Sequence, residues 1–320
     1  MPAPRVGAVG VGVHAVNAIL PNLPVAGFEL AATCARHLER AEAVGRRFGA
    51  AQAFDDVEQM LDACELDAAV VVVPPEQFAG VISACIRRGV PVFSEKPAAD
   101  DAAEAHALSA QAAEAGVVVM VGYMKRFAVG YQRAKELIGR PEFGAPTLGS
   151  FTWSMGPFAD RFDVRDWLFE NVVHHVDLAR FFLGELSDVH VARGPGKEHT
   201  VVVTASSTSG AVVSIRANTT GSWEQRNEAV EIFGNGHSLY VDNLDTCTYR
   251  PPERPEQVWR PNYTVPVEAN MTGATMGFAT ELEHFRRVIS EGVACESDIA
   301  SAAATLDLTG AIASGAARVS

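Results

Sequence analysis

The run Asp67-Ala68-Ala69-Val70-Val71-Val72-Val73, stopped by Pro74-Pro75, constrains the chain most. An apolar run without polar alternation suits a strand buried on both faces, and such strands belong to parallel sheets covered by helices. Its neighbours agree. Arg5–Val9 and Phe28–Cys34 read as strands before it, and Val90–Ser94 and Val117–Gly122 as strands after it. Between them lie helical patterns over Val13–Leu20 (stopped by Pro21), Leu38–Phe48, Val57–Leu61, Glu76–Arg88 and Ala102–Ala115. This alternation predicts an α/β fold with an N-terminal doubly wound parallel sheet of the Rossmann type.

The pattern changes after Tyr123. Thr200–Ser207, Ala211–Ala217, Glu228–Gly234 and Ser238–Asn243 alternate and are joined by short turns, among them the hairpin signal Asn235-Gly236. With helices over Tyr131–Ile138, Asn171–Leu183, Phe278–Ile289 and Ile299–Ala313, the second half reads as an α+β domain with a mostly antiparallel open sheet. The proline-rich Pro251–Pro266 reads as an irregular surface loop. A chain of 320 residues suits two domains, since single cores stop growing near about 250–300 residues. The expected division is 1–124 and 125–320.

Net charge of −13 argues against nucleic acid or anionic membrane as a partner. No apolar run reaches the roughly 18–20 residues that span a bilayer, and Met1–Arg5 shows no signal-peptide layout. The expected location is the cytoplasm. Cys34, Cys64, Cys85, Cys247 and Cys295 are scattered without a C-x-x-C pair, so neither a disulfide framework nor a zinc site is indicated. No other metal-ligand spacing occurs.

The first strand leads into Gly10-Val11-Gly12-Val13-His14-Ala15, a G-x-G-x-x-A turn opening a helix. Gly10 permits the tight turn, Gly12 lets a pyrophosphate approach the backbone, and Ala15 keeps helix and sheet close. Its place at the first strand–helix junction makes Gly10, Gly12, Val13 and His14 dinucleotide-binding candidates. The second strand ends in Thr33-Cys34-Ala35-Arg36-His37, without the acid that reads a ribose 2′-hydroxyl. Arg36, helped by Arg40, either faces a 2′-phosphate or stacks on adenine or sits in solvent. The balance leans slightly to NADP(H), with NAD(H) as the alternative. Ala35 and Pro74 complete the strand-end candidates.

Ser94-Glu95-Lys96-Pro97 stands at the C-terminal end of a buried strand, where ligands of such sheets bind, so Glu95 and Lys96 are site candidates. In Glu170-Asn171-Val172-Val173-His174-His175-Val176-Asp177, helical spacing makes Glu170 and Asp177 neighbours of His174. A carboxylate beside His174 orients it and raises its pKa, as proton transfer requires. The bland alternative is a surface ion pair or a core histidine. His175 points about 100° away round the helix and is either structural or a pocket residue. Tyr123, Arg126 and Trp153 are substrate-contact candidates, with packing as the alternative. Met155, Phe158, Arg161, Arg165 and Trp167 belong to the same loop region.

Gly10-x-Gly12-x-x-Ala15, Glu95-Lys96-Pro97, Gly122-Tyr123-Met124-Lys125-Arg126-Phe127, His174-x-x-Asp177 with Leu183-Gly184, and Glu281-Leu282-Glu283-His284-Phe285 together resemble the glucose–fructose oxidoreductase / inositol dehydrogenase (Gfo/Idh/MocA) family. The resemblance implies a Rossmann domain followed by a substrate-binding α/β domain. The open sheet of that second domain often forms the oligomer interface, here a homodimer or homotetramer. It implies Lys96 and His174 as the catalytic pair. Two positions depart from the family: Glu170 stands where many members have Asp, and Phe78 where many have His.

The expected function is alcohol–carbonyl interconversion on a small sugar, cyclitol or polyol, with Glu170 orienting His174 and no metal required. The rival expectations are an NAD-dependent glycoside hydrolase of the same fold and a regulatory protein that binds dinucleotide without catalysis.

Overall fold

The computed structural model describes residues 2–157, 163–194, 199–224, 227–264 and 272–315. They form two compact units, 1–124 with 278–304 and 125–277 with 305–320.

In the first unit the strands are β1 (Arg5–Val9), β2 (Glu29–Cys34), β3 (Gln52–Phe54), β4 (Ala68–Val71), β5 (Val92–Glu95) and β6 (Val119–Gly122). They form a parallel six-stranded sheet of order β3-β2-β1-β4-β5-β6. β4 is buried throughout, as its unbroken apolar run requires. The crossover helices are α1 (Leu38–Phe48), α2 (Val57–Ala63), α3 (Phe78–Arg87) and α4 (Ala102–Ala115). The carboxylates of Asp56 and Asp101 accept from the backbone N–H of Gln59 and Glu104, satisfying orphan donors at the starts of α2 and α4.

Three local expectations need correction. The helix after the Gly-rich turn does not stop at Pro21. A π-turn over Ala15–Ile19 passes into a 3₁₀ turn over Leu20–Asn22, where Pro21 fits because the start of a turn needs no N–H there. β3 was not anticipated, because three residues at a half-exposed edge carry no readable period. Nor do 125–320 form one continuous second domain. α9 (Phe278–Glu291) packs in the first unit, with Phe285 beside Phe28 and Phe93 at ring separations of 6.0 and 5.9 Å. Ser297 then pairs with the backbone of Val121 on β6, accepting at 2.7 Å and donating through its hydroxyl at 2.8 Å.

The second unit holds an eight-stranded sheet with β7 (Leu148–Ser154), β8 (Leu186–Arg193), β9 (Thr200–Ser207), β10 (Val212–Asn218), β11 (Asn227–Gly234), β12 (His237–Asp242), β13 (Thr246–Arg250) and β14 (Gln257–Trp259). The order is β14-β13-β12-β11-β7-β10-β9-β8, antiparallel except for β7 with β10. β14 lies inside the stretch expected to be an irregular loop, where pairing with β13 orders it. α5 (Val129–Ile138), α6 (Val164–Trp167), α7 (Val173–Leu183) and α8 (Thr272–Met276) belong to this unit. Gly130 on α5 is required by close approach: a Cβ there would lie 2.2 Å from the carbonyl oxygen of Leu244.

Candidate active site

Gly10 carries the tightest steric demand of the first unit's Gly-rich turn. Its φ is +89°, and a Cβ would meet the carbonyl oxygen of Val72 at 2.0 Å, so only glycine fits. Beside Gly12 the space is open, with nothing within 4 Å of a hypothetical Cβ, which leaves the backbone free for a ligand. Ala15 is fully buried, as helix–sheet contact demands.

Gly10, Gly12, Ala35, Arg36, Arg40 and Pro74 line one cavity of about 370 Å³ at the C-terminal ends of β1, β2 and β4. The strand ends, the Gly-rich turn and two cationic side chains together fit a dinucleotide. His37, Asp55 and Gln77 also line it and were not anticipated. Asp55 follows β3, the strand whose brevity hid it. Cys34 lines the same cavity, but burial first and then Asp56 and Asp55 push its thiol up to about 11, which makes it a poor nucleophile.

Val13, His14, Glu95 and Lys96 do not line that cavity. Val13 is 73% exposed. His14 Nε2 instead lies 2.9 Å from Oε1 of the buried Glu95, whose Oε2 accepts from the Lys96 N–H at 3.2 Å. This hydrogen bond raises the His14 pKa, outweighing desolvation. Lys96 directly follows β5 and is half-buried. Tyr123, after β6, is fully buried.

In the second unit, Leu168–Val172 forms a π-turn that runs into α7, so Glu170 stands on a π-turn and His174 in the first turn of the α-helix. Such π-turns recur at functional sites. Both residues are half-buried. Asp177 is engaged elsewhere: its oxygens accept from Nε and Nη2 of Arg126 at 2.7 and 2.6 Å, and Oδ1 also accepts from Thr305 at 3.3 Å. Arg126 and Asp177 are both buried and satisfy each other, so this pair braces α7.

His175 is fully buried, 6.2 Å from the Trp153 ring, and neither ring nitrogen has a hydrogen-bond partner. Nε2 lies 3.7 Å from Glu228, yet no ion pair forms. Burial, aided by Lys125, pushes the His175 pKa down to about 3 against the pull of Glu228, so the ring is neutral. Trp153 also faces Trp167 at 6.3 Å. Phe158 and Arg161 lie outside the described residues.

Lys125 was not singled out from its spacing. Its Nζ lies 2.5 Å from Oε2 of Glu228, whose Oε1 accepts from Tyr131 at 2.9 Å. Burial works to raise the Glu228 pKa, but the charge of Lys125 and the hydrogen bonds from Lys125 and Tyr131 hold it below the usual range.

Residues 4–123 match the family model described as oxidoreductase family, NAD-binding Rossmann fold. Residues 4–123 thus carry the Rossmann domain of the Gfo/Idh/MocA family. Inositol 2-dehydrogenase 4 of Saccharopolyspora erythraea is 29% identical over 221 residues, covering 66% of this chain and 65% of that relative. The scyllo-inositol 2-dehydrogenase (NAD(+)) of Bacillus subtilis is 29% identical over 218 residues, 64% of each chain. The alignments thus span just under two thirds of these relatives. A dehydrogenase structure from Chromobacterium violaceum matches with a TM-score of 0.89 at 26% identity, over 98% of this chain and 95% of that one. Among the described residues, no helix is long and apolar enough to cross a membrane.

Proposed function

We propose that the chain is a nicotinamide-dependent oxidoreductase interconverting an alcohol and a carbonyl on a sugar, cyclitol or related polyol. The observation that carries this reading is the cavity of about 370 Å³ joining the Gly10–Gly12 turn to Arg36 and Arg40 at the sheet's carboxyl edge. The inositol dehydrogenases among its relatives support a polyhydroxy substrate. Bound in that cavity, a nicotinamide dinucleotide supplies hydride transfer.

The chain's own residues handle the proton. In oxidation His174 accepts the substrate hydroxyl proton, and Lys96 donates a hydrogen bond to the same oxygen, stabilising developing negative charge. Glu170 orients His174 and stabilises its cationic form. Reduction reverses these roles. Val13, His14 and Glu95 support the dinucleotide site from outside the cavity, while Tyr123, Trp153 and His175 belong to the substrate side of the reading. Arg36 and Arg40 favour the 2′-phosphate of NADP(H), and Asp55 in the same cavity opposes it. The reading includes a cytoplasmic homodimer or homotetramer. Exposed Val202 and Val212 on neighbouring β9 and β10 support self-association.

The test follows nicotinamide absorbance with NADP⁺ or NAD⁺ against a panel of cyclitols and sugars. Turnover that Lys96→Met lowers at least about a hundredfold supports the roles given. Turnover within a few-fold of wild type in that variant overturns them. Glycoside cleavage with retained dinucleotide and no net reduction replaces the dehydrogenase reading with a hydrolase.

A further inference from the structure

The second unit holds a cavity of about 330 Å³ that the oxidoreductase reading does not use. Turns of that unit wall it. The 3₁₀ turn Pro141–Phe143 brings Arg140 and Glu142 to it, and the β11–β12 turn brings His237 at the start of β12. The β13–β14 connection supplies Pro251, Pro252 and Arg254, and β14 adds Gln257. The walls brace one another. Asn235 Nδ2 donates to the Glu142 carbonyl oxygen at 3.1 Å, tying the first turn to the second. Arg250 Nε donates to Glu256 Oε2 at 3.0 Å across the base of the third. Within that third turn two prolines fix φ, and Glu253 holds φ +57°, a left-handed conformation that a glutamate adopts at a cost.

A buried polar pair lines the same cavity. The rings of His237 and Tyr249 stack with centroids 5.5 Å apart, and Tyr249 Oη lies 2.6 Å from His237 Nδ1. Burial, then the charge of Glu142, raises the Tyr249 pKa against Arg140 and Arg254, so the hydroxyl keeps its proton at neutral pH. Donation from that hydroxyl to Nδ1 leaves the ring proton on Nε2, which has no partner among the described residues. Arg140 gives Nη2 to Glu136 at 3.1 Å and keeps other N–H groups for a ligand. Arg254 has no ion-pair partner among the described residues.

Two guanidinium groups and an imidazole N–H around one cavity match the oxygens of a phosphate. Glu142 repels a bare anion but accepts from a hydroxyl, and the Gln257 amide bonds hydroxyls as well. The rings of Pro251 and Pro252 offer apolar surface to the body of a small molecule. We propose that this cavity binds a phosphate monoester of a small polyhydroxy compound, with Arg140 and Arg254 holding the phosphate and Glu142 and Gln257 the hydroxyls. Its volume of about 330 Å³ suits one sugar ring with one phosphate, near the lower end of the roughly 300–1,000 Å³ of small-molecule sites. The inference is separate from the dinucleotide reading, and no covalent step is involved.

The test is calorimetric titration of the full chain at about pH 7.5, where a phosphate monoester is mostly dianionic. The probes are glucose 6-phosphate, glucose, gluconate and inorganic phosphate. Glucose 6-phosphate is expected to bind at least about tenfold tighter than each of the other three. Arg140→Gln and Arg254→Gln each weaken its binding about tenfold, the effect of losing a charge-assisted hydrogen bond. Both side chains reach solvent, so neither substitution disturbs a core. Glu142→Gln narrows the gap between glucose 6-phosphate and inorganic phosphate, since the bare anion is no longer repelled. Glucose 6-phosphate binding that survives the combined Arg140→Gln and Arg254→Gln changes places the ligand elsewhere and overturns the inference. Glucose or gluconate binding as tightly as the phosphate ester overturns it too, as does binding of no probe at all.

Discussion

Lys125 Nζ and Glu228 Oε2 are 2.5 Å apart with both side chains about nine-tenths buried, so each charge depends on the other. Removing one partner of such a pair leaves an uncompensated buried charge. Lys125→Met is expected to destabilise the protein by about 3–5 kcal/mol in urea unfolding. Lys125→Met combined with Glu228→Gln loses clearly less than the sum of the single changes, since the orphaned charge is gone. Strict additivity would show that the pair is not coupled.

His175 gives the same network a pH signature. Its folded pKa of about 3 lies below the unfolded 6.5, so the unfolded chain binds the extra proton. Its stabilising contribution is complete above 6.5 and is lost as pH falls toward about 3, at no more than about 1.4 kcal/mol per pH unit. Urea unfolding at about pH 7 and about pH 4.5 should show a shallower acid loss in His175→Gln than in wild type. Equal slopes would mean that His175 is protonated in the folded state.

Gly10→Ala places a methyl group against the Val72 carbonyl oxygen and forces a positive φ on alanine. The strain amounts to about 1–3 kcal/mol, read as a lower melting temperature. Dinucleotide affinity should fall more than about tenfold, because the turn itself must shift. Unchanged affinity would separate this turn from the binding site.

Phe285→Ala removes a ring lodged between Phe28 and Phe93 and should cost about 3–5 kcal/mol. The loss should appear as faster hydrogen exchange in β1, β2 and β5, with β7 to β13 unaffected. Exchange rising only in the second unit would contradict the return of α9 to the first.

Much of the first unit was readable because its signals are local. The valine run of β4 admits few structures other than a doubly covered strand, and Gly10-x-Gly12-x-x-Ala15 is a contiguous turn with a steric purpose. What stayed hidden depends on contacts distant in sequence. Asp55 reaches the Gly10–Gly12 cavity only because the short edge strand β3 forms, and Phe285 meets Phe93 only because α9 crosses back to the sheet. The His174-x-x-Asp177 spacing was legible, but Arg126, 51 residues away, claims the Asp177 carboxylate. Likewise Lys125 read as one cation among several in its motif, until β11 brings Glu228 to it.

The most direct measurement of the central claim is a fluorescence titration of purified protein, free of retained dinucleotide, with NADPH and with NADH, repeated on Arg36→Ala. The expected result is saturable binding of both, tighter for NADPH, with that preference collapsing in the variant. Binding of neither by the wild type would contradict the oxidoreductase reading itself.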